Sequence, residues 1–340
     1  MLNFKISTMK TKFLMAAALV LAAACNQIQT LEEDKPANGN ELVTVTVNIS
    51  GGASTRATDI ADKNESAISD IQIFAFNSDG SIDSYAKEST SKFTLKVTAG
   101  TKDFIALVNC PDLGTVGSKT ELLATVSLLE KNASDHFEMV GELAEETVNS
   151  DATLTITVKR IVSKVVIEKI STAFSSPYLA DQEFKVTGIY LTNAVASCNY
   201  AVDAKENLVW VNKNGVDTKD NPAKALTQDT LDATVTASAP YVGEHRFYCY
   251  PNPVEEDSTA EKWSERFTRL VVETTLGGTV GYYSIKIPEV GRNKIYTIKE
   301  LKVTRRGSKN PYEDITTADA EFSITVADWE TGSTIENVTI

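Results

Sequence analysis

Histidine is nearly missing from this chain: His136 and His245 are the two in 340 residues. No Gly-x-Ser-x-Gly elbow and no His-Glu-x-x-His stretch accompanies them. A serine hydrolase or zinc protease therefore has no motif to support it. Phosphate-cradling and dinucleotide-binding glycine patterns are missing as well. Cysteine is scarce, and none of the four sits in a Cys-x-x-Cys pair, which argues against a zinc site. Aromatic residues make up 8%, with Trp210, Trp263 and Trp329 standing singly in strand-like runs. They read as core residues before sugar platforms. Positive charge is outnumbered, 33 Lys and Arg against 46 Asp and Glu, giving a net charge of −13 and a pI near 4.8. Such a chain repels nucleic acid and anionic lipid headgroups. The acidic pairs Glu145–Glu146 and Glu255–Glu256 read as solvated loops, not glycosidase dyads. "DKNES", residues 62–66, lacks the spacing of an EF-hand and reads as a polar turn. No enzyme, metal or cofactor is expected.

Long apolar runs are missing too, with one exception. Residues 13–24, "FLMAAALVLAAA", follow the basic Lys10 and Lys12. The run is too short to span a bilayer as a stable helix and reads, with the residues before it, as a secretion signal over 1–24. It ends "LAAAC", and small residues before a cysteine resemble a bacterial lipobox. Cys25 is then the lipidated first residue of the processed chain, and the acyl chains are the membrane anchor. Residues 25–40 are polar, contain Pro36 and Gly39, and read as a tether. The three later cysteines, Cys110, Cys198 and Cys249, each lie in an apolar run. They read as small buried hydrophobes, with a Cys198–Cys249 bridge as the alternative.

What the rest of the chain has in quantity is alternation. "LVTVTVNI" puts Val43, Val45, Val47 and Ile49 on one face and Thr44, Thr46 and Asn48 on the other. "IQIFAFN" runs through the turn signal "SDGS" into "IDSYAKE", a hairpin pattern. "KFTLKVT" and "KDFIALV" follow, with Gly100 between them as a turn. Leu122, Leu123, Val126 and Leu129 have helical spacing, predicting a short helix within residues 119–141. Further strand patterns fill the second half, apart from a polar insertion over 215–240 that reads as loop with a short helix. Many short strands with Gly, Asn and Asp turns predict an all-β chain with short helices. The expected architecture is two antiparallel β-sandwiches with Greek-key-like connections, over 41–168 and 169–340.

These features together resemble the Bacteroidales fimbrillins, the subunits of type V pili. The resemblance rests on the lipobox, "VTVNISGGASTRATD", "IQIFAFNSDG", "IALVN", "ITVKRIVSKVVIEKI", "FYCYPNP" and "SITVADWETG", and spans most of the chain from Cys25 onward. It implies transthyretin-like sandwich domains and a precursor carried to the outer membrane as a lipoprotein. It also implies an arginine-specific protease that cuts after the first strand. The strand, residues 42–50, then leaves, and the tail of another subunit fills its groove, building an extracellular fimbrium that serves adhesion and biofilm formation. The implied partners are other copies, related pilus subunits, the protease and surface ligands, with no nucleic acid.

The residues supply a physical case of their own. "GGASTRATDI", residues 51–60, follows the cleanest strand pattern, and Arg56 is the only Lys or Arg between Lys35 and Lys63. A cut at Arg56–Ala57 would detach a peptide carrying both anchor and first strand. The tail, about 330–340, carries Ile335, Val338 and Ile340 as the expected donor contacts. It matches the four-residue stripe of the first strand only in part: Ile335 falls on the other face from Val338 and Ile340 unless a bulge intervenes. Two other readings compete. A glycan-binding surface lipoprotein predicts Trp210 or Trp263 exposed on a concave face. A tip adhesin of the same family predicts a ligand pocket and no donor strand.

Overall fold

Strands dominate the described residues, as the alternation requires. The computed structural model describes residues 41–51, 65–202, 205, 207–213, 221–259, 263–329 and the backbone of 334–339. The first eight strands are β1 (Leu42–Gly51), β2 (Ile71–Asn77), β3 (Ile82–Glu88), β4 (Lys92–Thr98), β5 (Gly100–Val108), β6 (Val126–Leu128), β7 (Met139–Val148) and β8 (Ala152–Arg160). Seven of these form one sheet in the order β3-β2-β5-β7-β8-β1-β4. Only two residue pairs join β7 to β8, Met139 with Arg160 and Val140 with Lys159. The sheet folds over at that junction, and Ile71, Ile73, Phe104 and Val108 of one half pack against Val45, Val47, Leu95 and Ile156 of the other.

Strand β2 has six consecutive buried residues, so both its faces are covered. Ile71, Ile73 and Ala75 face the first core, whereas Phe74 and Phe76 join a second, larger core. That core runs through helix α1 (Lys119–Ala124) into the remaining strands. These are β9 (Ser163–Thr172), β10 (Phe184–Thr192), β11 (Ala194–Val195), β12 (Ser197–Asn199), β13 (Trp210–Val211), β14 (Gln228–Val235), β15 (Tyr241–Cys249), β16 (Arg269–Leu276) and β17 (Thr279–Lys286). β18 (Lys294–Ile298), β19 (Leu301–Val303), β20 (Ala320–Glu321), β21 (Ser323–Asp328) and β22 (Thr334–Thr339) complete the chain, with short helices α2 (Pro177–Ala180) and α3 (Lys224–Thr227). One sheet has the order β14-β10-β16-β17 and the other β20-β19-β9-β18-β21-β22, with β15 also on β9. The fold is thus two β-sandwich lobes, mostly antiparallel, within one compact unit, Gly39–Ile340. The parallel ladders are β1–β8, β9–β18 and β9–β19. β6 pairs with β12 and ties the lobes together.

Two local expectations need correction. The predicted helix ends at Ala124; Val126 lies in β6, largely exposed, and Leu129 opens a single 3-10 turn. Ser118 caps α1 by accepting from the Glu121 amide, but Thr125, extended and β-branched, stops it. The insertion over 215–240 contains a strand as well as α3: β14 is an edge strand, and its alternation is muted by Asp and Thr on the open face. Gly100, at φ +132°, turns the chain between β4 and β5 as expected and carries it from one half of the sheet to the other.

The cysteines behave as buried hydrophobes. No disulfide joins Cys198 to Cys249, and burial pushes the Cys249 thiol up to about 12. Between the lobes Glu138 is 1% exposed and accepts a hydrogen bond from Tyr200 Oη at 3.0 Å. Burial holds its carboxyl above the usual range, against hydrogen bonds that act the other way. A raised carboxyl contributes stability that is full below its unfolded value, about 4.3, and lost as pH rises through the folded value. Glu138→Gln is therefore expected to raise Tm at neutral pH and to leave it unchanged near pH ~4. Thermal melts of both proteins at the two pH values measure this.

Candidate functional site: the first strand and its groove

The first strand is not an edge. β1 runs antiparallel to β4, from Leu42–Thr98 to Asn48–Lys92, and parallel to β8, from Val45–Ala152 to Gly51–Val158. Val43, Val45, Val47 and Ile49 are 5, 0, 0 and 7% exposed, as the alternation requires, and lie at the centre of the first core. Phe93, Leu95 and Val97 of β4 and Ile156 and Val158 of β8 pack in the same core. Polar contacts line the outer face. The Thr44 amide donates to Asp151 Oδ1 at 2.8 Å, and the Ser50 and Thr157 hydroxyls lie 3.2 Å apart. At the strand ends the Ile49 amide donates to the Ser91 carbonyl and the Ala99 amide to that of Glu41, both at 2.7 Å.

Gly51 closes the ladder. Its φ is +124°, and a Cβ there would lie 2.2 Å from the Val158 carbonyl oxygen. Only glycine fits. Gly51→Val is expected to open that end of the β1–β8 ladder and cost the uncut chain about 1–3 kcal/mol, read as a lower urea midpoint.

Withdrawing β1 would strip both β4 and β8 of a partner and uncover the core between them. Burying its four apolar side chains is worth at most about 6–12 kcal/mol at roughly 1.5–3 each. Among the described residues β1 is the first element, and residues 52–64 lead from it to the rest of the fold. Arg56 and Ala57 lie in that segment, and they and Cys25 fall outside the described residues.

At the other end of the chain, β22 pairs antiparallel with β21 on the edge of the second-lobe sheet. The register sets Val338 against Ile324 and Glu336 against Val326, with a shift at Ile335 because Thr334 pairs with Ala327. Ile340 lies outside the described residues. The tail is thus held in cis by backbone pairing along one side.

The aromatic alternative fares poorly. Trp210 is 6% exposed and Trp263 half-buried, packed edge-to-face at 5.7 Å, and Trp263 Nε1 donates to Asn193 Oδ1 at 3.2 Å. Trp329 is buried as well. One open hollow, of about 500 Å³, lies between Asn252, Phe267 and Val290. None of the three tryptophans lines it.

No protein-family model and no curated protein matches the chain. Solved structures do. A fimbrilin from Porphyromonas gingivalis superposes with a TM-score of 0.61 at 17% identity, over 87% of this chain and 99% of that one. The fold is that of a fimbrilin. A candidate cell adhesion protein from Bacteroides eggerthii gives a TM-score of 0.64 at 16% identity, over 87% of this chain and 98% of its own. A tip fimbrial protein from Porphyromonas gingivalis, solved with a C-terminal truncation, gives 0.55 at 16%, over 85% and 100%. The fimbrilin-like fold therefore covers both lobes.

Sequence periodicity found β1 and its inward face but not the groove walls as a pair. β4 and β8 lie far apart in the chain, and which strands flank β1 is set by the whole sheet. Gly51 was legible only as loop composition; its close approach to Val158 depends on the parallel register.

Proposed function

We propose that the chain is a polymerising stalk subunit of a surface fimbria. It is exported as a lipoprotein anchored through Cys25 in the outer membrane. An arginine-specific protease cuts Arg56–Ala57, so that the peptide 25–56 carries away anchor and first strand together. The tail of another copy, through Ile335, Val338 and Ile340, then fills the groove between β4 and β8, and repetition builds an extracellular fibre. No catalytic group takes part.

One observation carries this reading: the first described strand is inserted between β4 and β8 with its apolar face buried, and the segment that follows it contains Arg56. An unpartnered pair of strand edges is a template for another chain. The likeness to fimbrilins supports the reading, and a stalk role in preference to a tip role rests on β22. Limited trypsin digestion of the purified precursor, followed by electrophoresis without boiling, tests it. A ladder of stable multimers is expected from the wild type and none from Arg56→Ala. A ladder from Arg56→Ala would place the cut elsewhere.

A further inference from the structure

Glu65 begins the described chain after the segment containing Arg56, and it is 3% exposed. Its carboxylate meets Lys164 Nζ at 2.8 Å and accepts from Tyr248 Oη at 2.6 Å. Arg160 Nε donates to the Glu65 carbonyl at 2.9 Å. The Arg160 guanidinium also lies 4.5 Å from the centre of the Trp329 ring, and Lys164 Nζ lies 4.7 Å from it. Tyr248 stacks near the same indole, at 6.1 Å and 18°.

These residues come from four places that matter. Arg160 is the last residue of β8, a wall of the β1 groove. Lys164 lies in β9, and Tyr248 in β15. Trp329 directly follows β21, the strand that holds β22. Two cations against one indole are tolerable in a buried place because Glu65 supplies the opposing charge. Arg246 Nη1 also lies 3.8 Å from the Glu65 carboxylate, so removing that charge leaves Lys164 and Arg246 without their shared counter-charge beside the ring.

We propose that this cluster is a stop that fixes the root of the C-terminal tail and links it to the groove wall. The inference rests on the reading of β22 as a strand that leaves its own sheet. Peeling of β22 from β21 halts at Trp329, because going further would uncover a buried ring packed against Arg160 and Lys164. Tension entering through a strand seated against β8 passes by Arg160 to Trp329, and so to the subunit's own tail.

Hydrogen exchange on the intact, uncut chain tests this, comparing wild type with Glu65→Gln and Trp329→Phe. Glu65→Gln keeps the shape and removes the charge, so it is the variant that preserves packing. Amides of β21 and Trp329 are expected to exchange about tenfold faster in Glu65→Gln, with β10 and β16 unchanged. Exchange within about twofold of wild type over residues 323–329 in both variants would overturn the proposal. So would equal acceleration of every strand, or failure of both variants to fold, since the cluster would then be general core. Because the uncut monomer is measured, the outcome is separable from assembly. A multimer ladder with unaltered β21 exchange removes the stop and keeps the subunit reading; the reverse pair does the opposite.

Discussion

Replacing Val45 and Val47 together by aspartate is expected to unfold the first lobe of the uncut chain. Both side chains are 0% exposed and sit in the middle of β1, with β4 on one side and β8 on the other. Losing their burial costs about 3–6 kcal/mol at 1.5–3 each, before the cost of placing two carboxylates in the core. A domain has about 5–15 kcal/mol in all. Near-UV circular dichroism should lose its fine structure, and the urea midpoint should collapse. Thr44→Asp and Thr46→Asp, on the half-buried outer face of the same strand, should shift stability by about 0.5 kcal/mol or less. A synthetic peptide of residues 41–51 should restore the lobe of the double variant, because the groove itself is unaltered. Equal damage from both pairs would mean that β1 does not present one face to the core.

Cutting alone is not expected to release the strand. A chain lacking residues 330–340, cut after Arg56, should keep the 25–56 peptide through gel filtration at micromolar concentration. The strand's apolar burial, at most about 6–12 kcal/mol, brackets the ~8 kcal/mol of a micromolar dissociation constant. Backbone ladders on both sides add to it. A full-length cut chain has a competitor, and its peptide should leave as multimers grow. Mass spectrometry of the eluted complex distinguishes the cases. Loss of the peptide from the truncated chain would show that the groove does not hold β1 unaided, and that exchange does not need displacement.

How far the fold was legible depended on whether the signal was local. β1 and the β2–β3 hairpin were readable because alternation and the "SDGS" turn are properties of adjacent residues; Gly80 takes φ +80° at that turn. The unbroken apolar run of β2 was readable as a strand but not as one covered on both faces, which follows from its place between two cores. The helical spacing from Leu122 to Leu129 misled. Leu122 and Leu129 are both buried, but on two separate elements with a strand between them. Glu65 looked like part of a polar turn. Its burial is set by Lys164 and Tyr248, about a hundred or more residues away in the sequence, and no local pattern encodes that. Of the candidate site, β1 and its inward face were legible. That β1 is clasped on both sides was not.

If the groove left by β1 receives the tail of a second copy, cysteine cross-linking between two tagged chains should capture the exchange. One chain carries Cys25→Ser and a single tail substitution, Asn337→Cys or Val338→Cys. Its partner carries Cys25→Ser and a single groove-wall substitution, Lys96→Cys in β4 or Thr155→Cys in β8. Cys110, Cys198 and Cys249 are buried and should not compete. A reducible dimer containing both tags is expected, formed only after the groove chain has been cut at Arg56. A ladder that forms with no such cross-link at any pairing, or a cross-linked dimer that forms equally well before the cut, would contradict the exchange.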